Sequence, residues 1–170
     1  MRFLILLLLA IASCTPKPET IKVSSETAKH TIDSVLVSWH QAATDADFNA
    51  YYNAMHDEGI YLGTDASEHW TVVQFKAYAK PYFDKGKAWD FKTLERHIYL
   101  SEDKKVAWFD EHLDTWMGIC RGSGVLTSDD SHTWKIKHYV LSLATPNDNV
   151  RAIAELNKKA DSIQKNSFKR

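Results

Sequence analysis

The chain has 170 residues, of which 44% are hydrophobic, and its 21 basic and 22 acidic residues give a formal net charge of −1. This balance, with no basic stripe, argues against nucleic acid as a partner. The length suits one domain with a core to which six tryptophans contribute.

The N-terminal segment has the pattern of an export signal. Arg2 precedes an apolar run over residues 4–11, and the small residues Ala12 and Ser13 lie directly before Cys14. A basic residue, an apolar run and small residues at a cleavage site are typical of a signal peptide. The run is shorter than the ~20 residues that span a bilayer. We therefore expect residues 1–13 to be removed.

The order Ile11-Ala12-Ser13-Cys14 resembles the bacterial lipobox. This resemblance implies that Cys14 is lipidated and anchors the protein to a membrane of the bacterial cell envelope, since each buried methylene of an acyl chain such as palmitate contributes about 0.8 kcal/mol. An ordinary cleaved signal with a coincidental cysteine is the alternative. An acylated Cys14 leaves Cys120 without an intrachain disulfide partner, and we expect Cys120 to be a buried apolar residue.

The first half of the domain is predicted to be helical. Residues 14–23 contain Pro16 and Pro18 and are expected to form a tether to a domain over residues 24–146. Apolar residues then recur at helical spacing. The predicted elements are helices at 24–44, 45–55 (capped by Asp45) and 72–84 (ended or interrupted near Pro81), a short strand at 59–63 and a loop at 64–69.

Beyond residue 86 the apolar period changes to two, which predicts strands. The predicted strands are residues 89–100, 106–116, 119–127 and 133–143. Short turns rich in Ser, Asp and Gly make them a meander. The chain is therefore predicted to be an α+β domain, with N-terminal helices packed on a strongly curved antiparallel sheet. Residues 147–165, in an extension over 147–170, are predicted to form a helix with a narrow apolar stripe that docks weakly or on a partner.

Six motifs along the domain carry a family resemblance. In order they are Gly63-Thr64-Asp65-Ala66, Pro81-Tyr82-Phe83, Leu94-Glu95-Arg96-His97, Ala107-Trp108-Phe109-Asp110-Glu111, Arg121-Gly122-Ser123-Gly124-Val125-Leu126 and Trp134-Lys135-Ile136-Lys137-His138-Tyr139. Over residues 31–148 this order resembles a SnoaL-like domain of the nuclear transport factor 2-like superfamily. The resemblance implies a cone-shaped domain with a pocket at its open end, used by different members for catalysis, binding or accessory roles. It also implies a homodimer formed through the sheet.

Glu111 is the main candidate for chemistry. Strand alternation places it with Ala107, Phe109 and Leu113 on the face toward the helices. A carboxylate inside the cone needs a partner or a raised pKa. Arg121 is the expected partner, but its side of the sheet depends on the turn.

A two-residue turn at Met117-Gly118 would put Arg121 opposite Asp114, on the other face from Glu111. A turn of odd length would bring Arg121 to the side of Glu111. The resemblance to pocket-lining strands of the family favours the second arrangement.

Two histidines are further candidates. Lys135 and Lys137 mark an outward face, so His138 is predicted to point inward, where it could form an acid–base pair with Glu111. The alternative is a core histidine bonded to backbone or tyrosine. His97 presents the same choice and is a candidate ligand-binding residue.

The spacing Asp110-x-His112-x-Asp114 would suit a divalent metal chemically. Trp108 and Trp116 flank this set, however, and an alternating polar face is typical of the exposed or dimer-facing side of an antiparallel sheet. There is no Gly-rich phosphate loop and no Cys/His metal spacing. We expect no metal and no cofactor.

Aromatic residues give the remaining indication. Those expected around the mouth of the cone are Tyr52, Tyr61, Trp70, Tyr82, Trp89 and Trp134. They suit a flat apolar ligand, although they could equally form the core of a small domain.

The preferred hypothesis is an envelope-tethered module that binds a small apolar or aromatic molecule. An isomerase- or cyclase-like enzyme using Glu111 and His138 is the alternative, although no motif supplies the pair of oxyanion donors. A structural dimer whose pocket is filled by side chains is the third possibility.

Replacing Cys14 tests the anchor. We expect Cys14→Ala to yield an uncleaved or soluble exported form that no longer partitions into detergent, because the acylated residue is gone. Phase partitioning of cell fractions measures this. Full retention of the variant in the membrane fraction would contradict the assignment.

Overall fold

The computed structural model describes residues 24–129 and 133–168, so the predicted signal, the tether and Cys14 lie outside the described residues. The elements are α1 (Ser25–Thr44), α2 (Phe48–Asn53), β1 (Met55–Leu62), β2 (His69–Thr71), α3 (Val72–Phe83), β3 (Lys92–Leu100), β4 (Val106–Thr115), β5 (Gly118–Ser128), β6 (Trp134–Leu143) and α4 (Val150–Ser167). The predicted α+β class, with N-terminal helices on a curved sheet, is confirmed.

Capping residues determine where the first two helices begin. The Ser24 side chain accepts a hydrogen bond from the Thr27 amide at the start of α1. The buried stripe of α1 follows helical spacing and consists of Ala28, Ile32, Leu36, Trp39, His40, Ala42 and Ala43. Asp47, rather than the predicted Asp45, caps α2, because Ala46 takes a positive φ of 55° and separates the two helices. Consequently α2 is shorter than predicted, and Met55 begins β1.

Helix α3 begins with a capping box. The Thr71 hydroxyl accepts from the Gln74 amide, and the Gln74 side chain accepts from the Thr71 amide. The helix continues through Pro81 to Phe83. The helix thus ends two residues after Pro81, close to the predicted end. A proline in the last turn removes one helical hydrogen bond.

The strands form one six-stranded sheet in the order β2-β1-β6-β5-β4-β3. The predicted meander is β3 to β6, and its hairpins are antiparallel. Strand β1 joins β6 in parallel, so the sheet is not wholly antiparallel. Strand β2, residues 69–71, lies on the edge of the sheet next to β1. Residue 69 was predicted to belong to a loop.

The inner face of the sheet packs under α1. Ala107, Phe109 and Leu113 of β4 are buried there, as strand alternation predicts. Cys120 is buried, as predicted, and forms no disulfide with any residue that the structure describes.

Two β-bulges change which side chains face inward. In β3, Thr93 pairs with Leu113 but Glu95 pairs with His112, so Leu94 is the extra residue. In β6, Ile136 pairs with Leu126 but His138 pairs with Val125, so Lys137 is the extra residue. Each bulge reverses the alternation beyond it.

Helix α4 forms where the sequence predicts a helix, after a 3₁₀ turn over Asn147–Asn149. None of its residues is buried. Its apolar stripe, including Ile153 and Leu156, is exposed. No helix within residues 24–129 and 133–168 is both long and apolar enough to cross a membrane.

Candidate functional site

Glu111 lies at the centre of a polar network and is only 1% exposed. Arg96 donates to Glu111 Oε2 from Nε at 2.9 Å and from Nη2 at 2.8 Å. The Tyr139 hydroxyl donates to Oε1 at 3.0 Å, and His40 Nε2 lies 2.9 Å from the same oxygen. Both carboxylate oxygens are therefore occupied.

Arg96 extends the network to the first helix. Its Nη1 lies 2.6 Å from Asp33 Oδ1, and its Nη2 donates to Thr93 Oγ1 at 3.0 Å. The Arg96 side chain is 4% exposed. A buried guanidinium between two carboxylates joins α1 to β3 and β4 through charge-assisted hydrogen bonds.

The network holds Glu111 as a carboxylate. Burial acts to raise its pKa, but the hydrogen bond and charge interaction with His40, and then the Arg96 guanidinium, hold the pKa of Glu111 below its ordinary value of 4.5. Burial, followed by the negative charge of Glu111, raises the pKa of Tyr139. Tyr139 is therefore a protonated donor, and Glu111 is a fixed anion rather than a base directed at a ligand.

Gly122 makes room for this arrangement. It pairs with Glu111 across the β4–β5 hairpin. A Cβ at Gly122 would lie 2.7 Å from Glu111 Oε1 and closer still to the Tyr139 hydroxyl. Only glycine leaves space there for both side chains.

Arg121 is not the partner of Glu111, so the preferred prediction was wrong. Thr115 pairs with Gly118, which makes Trp116-Met117 the two-residue turn, one residue earlier than considered. Arg121 consequently lies opposite His112 on the exposed outer face. The arrangement with a two-residue turn at Met117-Gly118 placed Arg121 on this outer face, although opposite Asp114 instead of His112.

The inward orientation predicted for His138 is also wrong. Because Lys137 is a bulge, His138 lies opposite Val125 on the outer face and Tyr139 takes the inner position. His97 is likewise on the outer face, where its Nδ1 lies 3.2 Å from Asp110 Oδ1. Glu111 and His138 are therefore not brought together.

The outer-face set Asp110, His112 and Asp114 lies on β4, as predicted. Within residues 24–129 and 133–168, no group of three or more His, Cys, Asp and Glu side chains is arranged to hold a metal ion.

A cavity of about 300 Å³ opens at one end of the sheet. It is lined by Tyr61, Gly63, Thr64, Glu68, Trp70, Phe75, Tyr78, Tyr82, Ala88, Trp89, Phe91, Trp116 and Leu141. Three of its aromatic lining residues, Tyr78, Tyr82 and Trp116, are exposed, so the cavity is open to solvent. Glu111 is not among the lining residues, although Phe91 is, and its ring centroid is 6.4 Å from that of His40.

Ring stacking organises the wall of this cavity. Tyr61 stacks on Phe75 with centroids 3.9 Å apart, and Trp70 stacks on Tyr78 at 4.5 Å. Phe75 also stacks on Trp89 at 5.8 Å. The wall is therefore a set of packed rings that presents flat apolar surface.

Among the described residues that line the cavity, Glu68 is the one carboxylate and none carries a basic side chain. The Asp65 amide donates to Glu68 Oε2 at 3.1 Å. Burial raises the pKa of Tyr78 to about 12, with further contributions from Tyr82 and from the charge of Glu68. The cavity is thus both aromatic and electronegative.

Four of the aromatic residues that the sequence suggested line the cavity: Tyr61, Trp70, Tyr82 and Trp89. Tyr52 and Trp134 are buried elsewhere, and the Tyr52 hydroxyl donates to the Phe75 carbonyl at 3.0 Å. Their burial corresponds to the core alternative.

Sequence reasoning missed Glu68, Phe75, Tyr78, Phe91, Trp116 and Leu141 as lining residues. Tyr78 and Phe75 could have been inferred from Tyr82, since they precede it by four and seven residues on one face of α3.

A family model described as a SnoaL-like domain matches residues 32–146. The chain belongs to the SnoaL-like family. This confirms the family predicted from the order of the motifs. The chain matches none of the curated proteins with which it was compared.

Solved structures show the same fold. An NTF2-like protein of unknown function from Pseudomonas putida KT2440 has a TM-score of 0.61 at 13% identity, covering 74% of this chain and 92% of that one. A candidate ketosteroid isomerase from Parabacteroides distasonis ATCC 8503 has a TM-score of 0.55 at 17% identity, covering 68% and 86%. A protein with a cystatin-like fold from Caulobacter vibrioides has a TM-score of 0.57 at 14% identity, covering 76% and 98%.

These identities are low, so the likeness concerns the fold alone. The SnoaL-like protein shares its fold with an NTF2-like structure.

Removing Arg96 tests the network. We expect Arg96→Ala to lower the free energy of unfolding by about 3–5 kcal/mol, because it leaves Glu111 as an uncompensated buried charge. Arg121→Ala, on the exposed outer face, is the matched control and should change it by less than about 0.5 kcal/mol. Denaturant unfolding measures both.

The double variant Glu111→Gln with Arg96→Met should be less destabilised than Arg96→Ala, since no buried charge is left unpaired. Equal losses from Arg96→Ala and Arg121→Ala would contradict the role assigned to Arg96.

The pH dependence of stability tests the charge state of Glu111. Its pKa is lowered by folding, so its contribution is present above pH 4.5 and is lost as the pH falls through the folded pKa. We expect the stability difference between wild type and Glu111→Gln to be largest near neutral pH and to shrink below pH 4.5. Urea unfolding between pH 3 and 7 measures it. A difference that stays constant over this range would show that Glu111 is not the charged centre of the network.

Proposed function

We propose that this SnoaL-like protein binds a small apolar or aromatic molecule in the cavity at the end of its sheet. The observation that carries the proposal is an accessible cavity of about 300 Å³ whose wall is a stacked set of aromatic side chains. Its volume lies at the lower end for ligand sites, which suits one or two fused rings.

The alternative of a plugged structural dimer has less support. The rings of Tyr61, Trp70 and Phe75 form a wall beside the cavity instead of filling it. Tyr78 and Tyr82 also line it while remaining substantially exposed. A side-chain-filled cone would leave no such volume.

Proton transfer by Glu111 and His138 also has less support than binding. Glu111 is sealed from the cavity with both oxygens hydrogen-bonded, and His138 lies on the opposite face of the sheet. An acid–base pair needs both groups within hydrogen-bond reach of the same substrate. Binding is therefore the function that the geometry supports best.

The proposal places this binding module at a membrane of the bacterial envelope, through lipid on Cys14. Its support is the sequence before the described residues, in which the small residues Ala12 and Ser13 precede Cys14 after a short apolar run.

Equilibrium dialysis of 2-naphthol against the full chain in detergent tests the binding. Equal micelles on both sides of the membrane cancel partitioning into detergent. We expect saturable binding by wild type and at least about tenfold weaker binding by Ala88→Trp, because the indole would occupy cavity space.

Ala50→Trp is the control, since Ala50 is exposed on α2 and does not line the cavity. It should bind 2-naphthol like wild type. Equal binding by Ala88→Trp and wild type would refute a ligand site in this cavity.

A further inference from the structure

The loop between β1 and β2 places a carboxylate against the aromatic wall of the cavity. Glu68 lines the cavity together with Trp70, two residues further along the chain, and with Tyr61 and Tyr78. Burial raises the pKa of Tyr61, and the charge of Glu68 contributes next; for Tyr78 burial and the neighbouring Tyr82 raise the pKa more than the charge of Glu68 does. Glu68 therefore acts electrostatically on the rings that would contact a ligand.

The position of this carboxylate is built into the loop. The Gly63 amide donates to the Glu68 carbonyl at 3.0 Å, and the Glu68 amide donates to the Asp65 carbonyl at 2.9 Å. The Glu68 carboxylate folds back over Gly63, where a Cβ would collide with it. Gly63 thus allows the close approach that holds Glu68 at the cavity.

No cationic side chain neutralises Glu68 within residues 24–129 and 133–168, where it forms no ion pair. The lysines of α3 are engaged elsewhere. Lys76 lies 5.5 Å from the centroid of the Tyr52 ring, and Lys80 lies 5.6 Å from that of Phe48. Neither ring lines the cavity. The Glu68 carboxylate accepts the Asp65 amide, but no counter-charge from the described residues reaches it, so its negative charge is left for a ligand to balance.

We propose that the cavity selects an organic cation, an ammonium group carrying an apolar or aromatic substituent, with Glu68 as counter-charge and the rings of Tyr61, Trp70 and Tyr78 against the cation. This inference rests on the proposed function and names its ligand class. The faces of aromatic rings carry negative potential and attract cations, most strongly for tryptophan. A carboxylate beside these rings attracts a cation further, and it repels an organic anion of the same shape.

The test compares two probes of the same shape. Benzyltrimethylammonium is a cation, and neopentylbenzene replaces its nitrogen by carbon. We expect wild type, in the same dialysis with equal micelles, to bind the cation at least about tenfold more tightly than the neutral probe.

Three variants test whether Glu68 causes the preference for the cation. Glu68→Gln should weaken cation binding about tenfold and leave neopentylbenzene within about threefold, since it removes charge with little change of shape. Gly63→Ala should weaken cation binding in the same direction, because its Cβ displaces the carboxylate. Asp57→Asn is the matched control, because Asp57 is exposed on β1 and does not line the cavity. It removes the same charge and should leave both affinities unchanged.

The outcomes separate the two proposals. Equal affinity for the two probes, or equal weakening of both by Glu68→Gln, would overturn the cation site while leaving the cavity as a ligand site. Failure of 2-naphthol and both probes to bind wild type would overturn both. Retained neopentylbenzene binding by Glu68→Gln shows that the variant is folded, so its loss of cation binding would then support the inference.

Discussion

The structure depends on the compensation of one buried charge. Glu111 sits under α1 with no exposed side-chain surface, and an isolated carboxylate there would be strongly destabilising. Arg96, His40 and Tyr139 supply the donors, and each comes from a different element. Satisfying the charge therefore requires α1, β3, β4 and β6 to be assembled together, which favours a single arrangement of helix and sheet over alternatives.

The charged network and the cavity are separate sites with different properties. The groups of the network are bonded to one another and link α1 to the sheet, so removing one partner leaves a buried charge uncompensated. The cavity is lined by one face of α3, by residues of β1, β2 and β6, and by the adjoining loops and the β4–β5 turn. Loop and turn residues such as Glu68 and Trp116 therefore contribute to its shape and charge. Phe91, which lines the cavity near His40, is the point where the two sites come close.

Two bulges decide the composition of the network. Without Leu94 as an extra residue, Glu95 would lie opposite Glu111, and two carboxylates would face each other. Without Lys137 as an extra residue, His138 would take the inner position that Tyr139 occupies. A bulge adds one residue to a strand and moves every later side chain to the other face.

The sequence by itself determined the class of the domain, the order of its helices and meander strands, and the inner position of Glu111, because these follow from local periodicity and turn chemistry. Tertiary structure alone decided the partners of Glu111. Arg96 replaces Arg121 and Tyr139 replaces His138, because strand register and bulges depend on the pairing between strands, and a shift of one residue leaves local composition unchanged. The position of Glu68 beside the aromatic rings was likewise visible only once β2, α3 and the loops met at one end of the sheet.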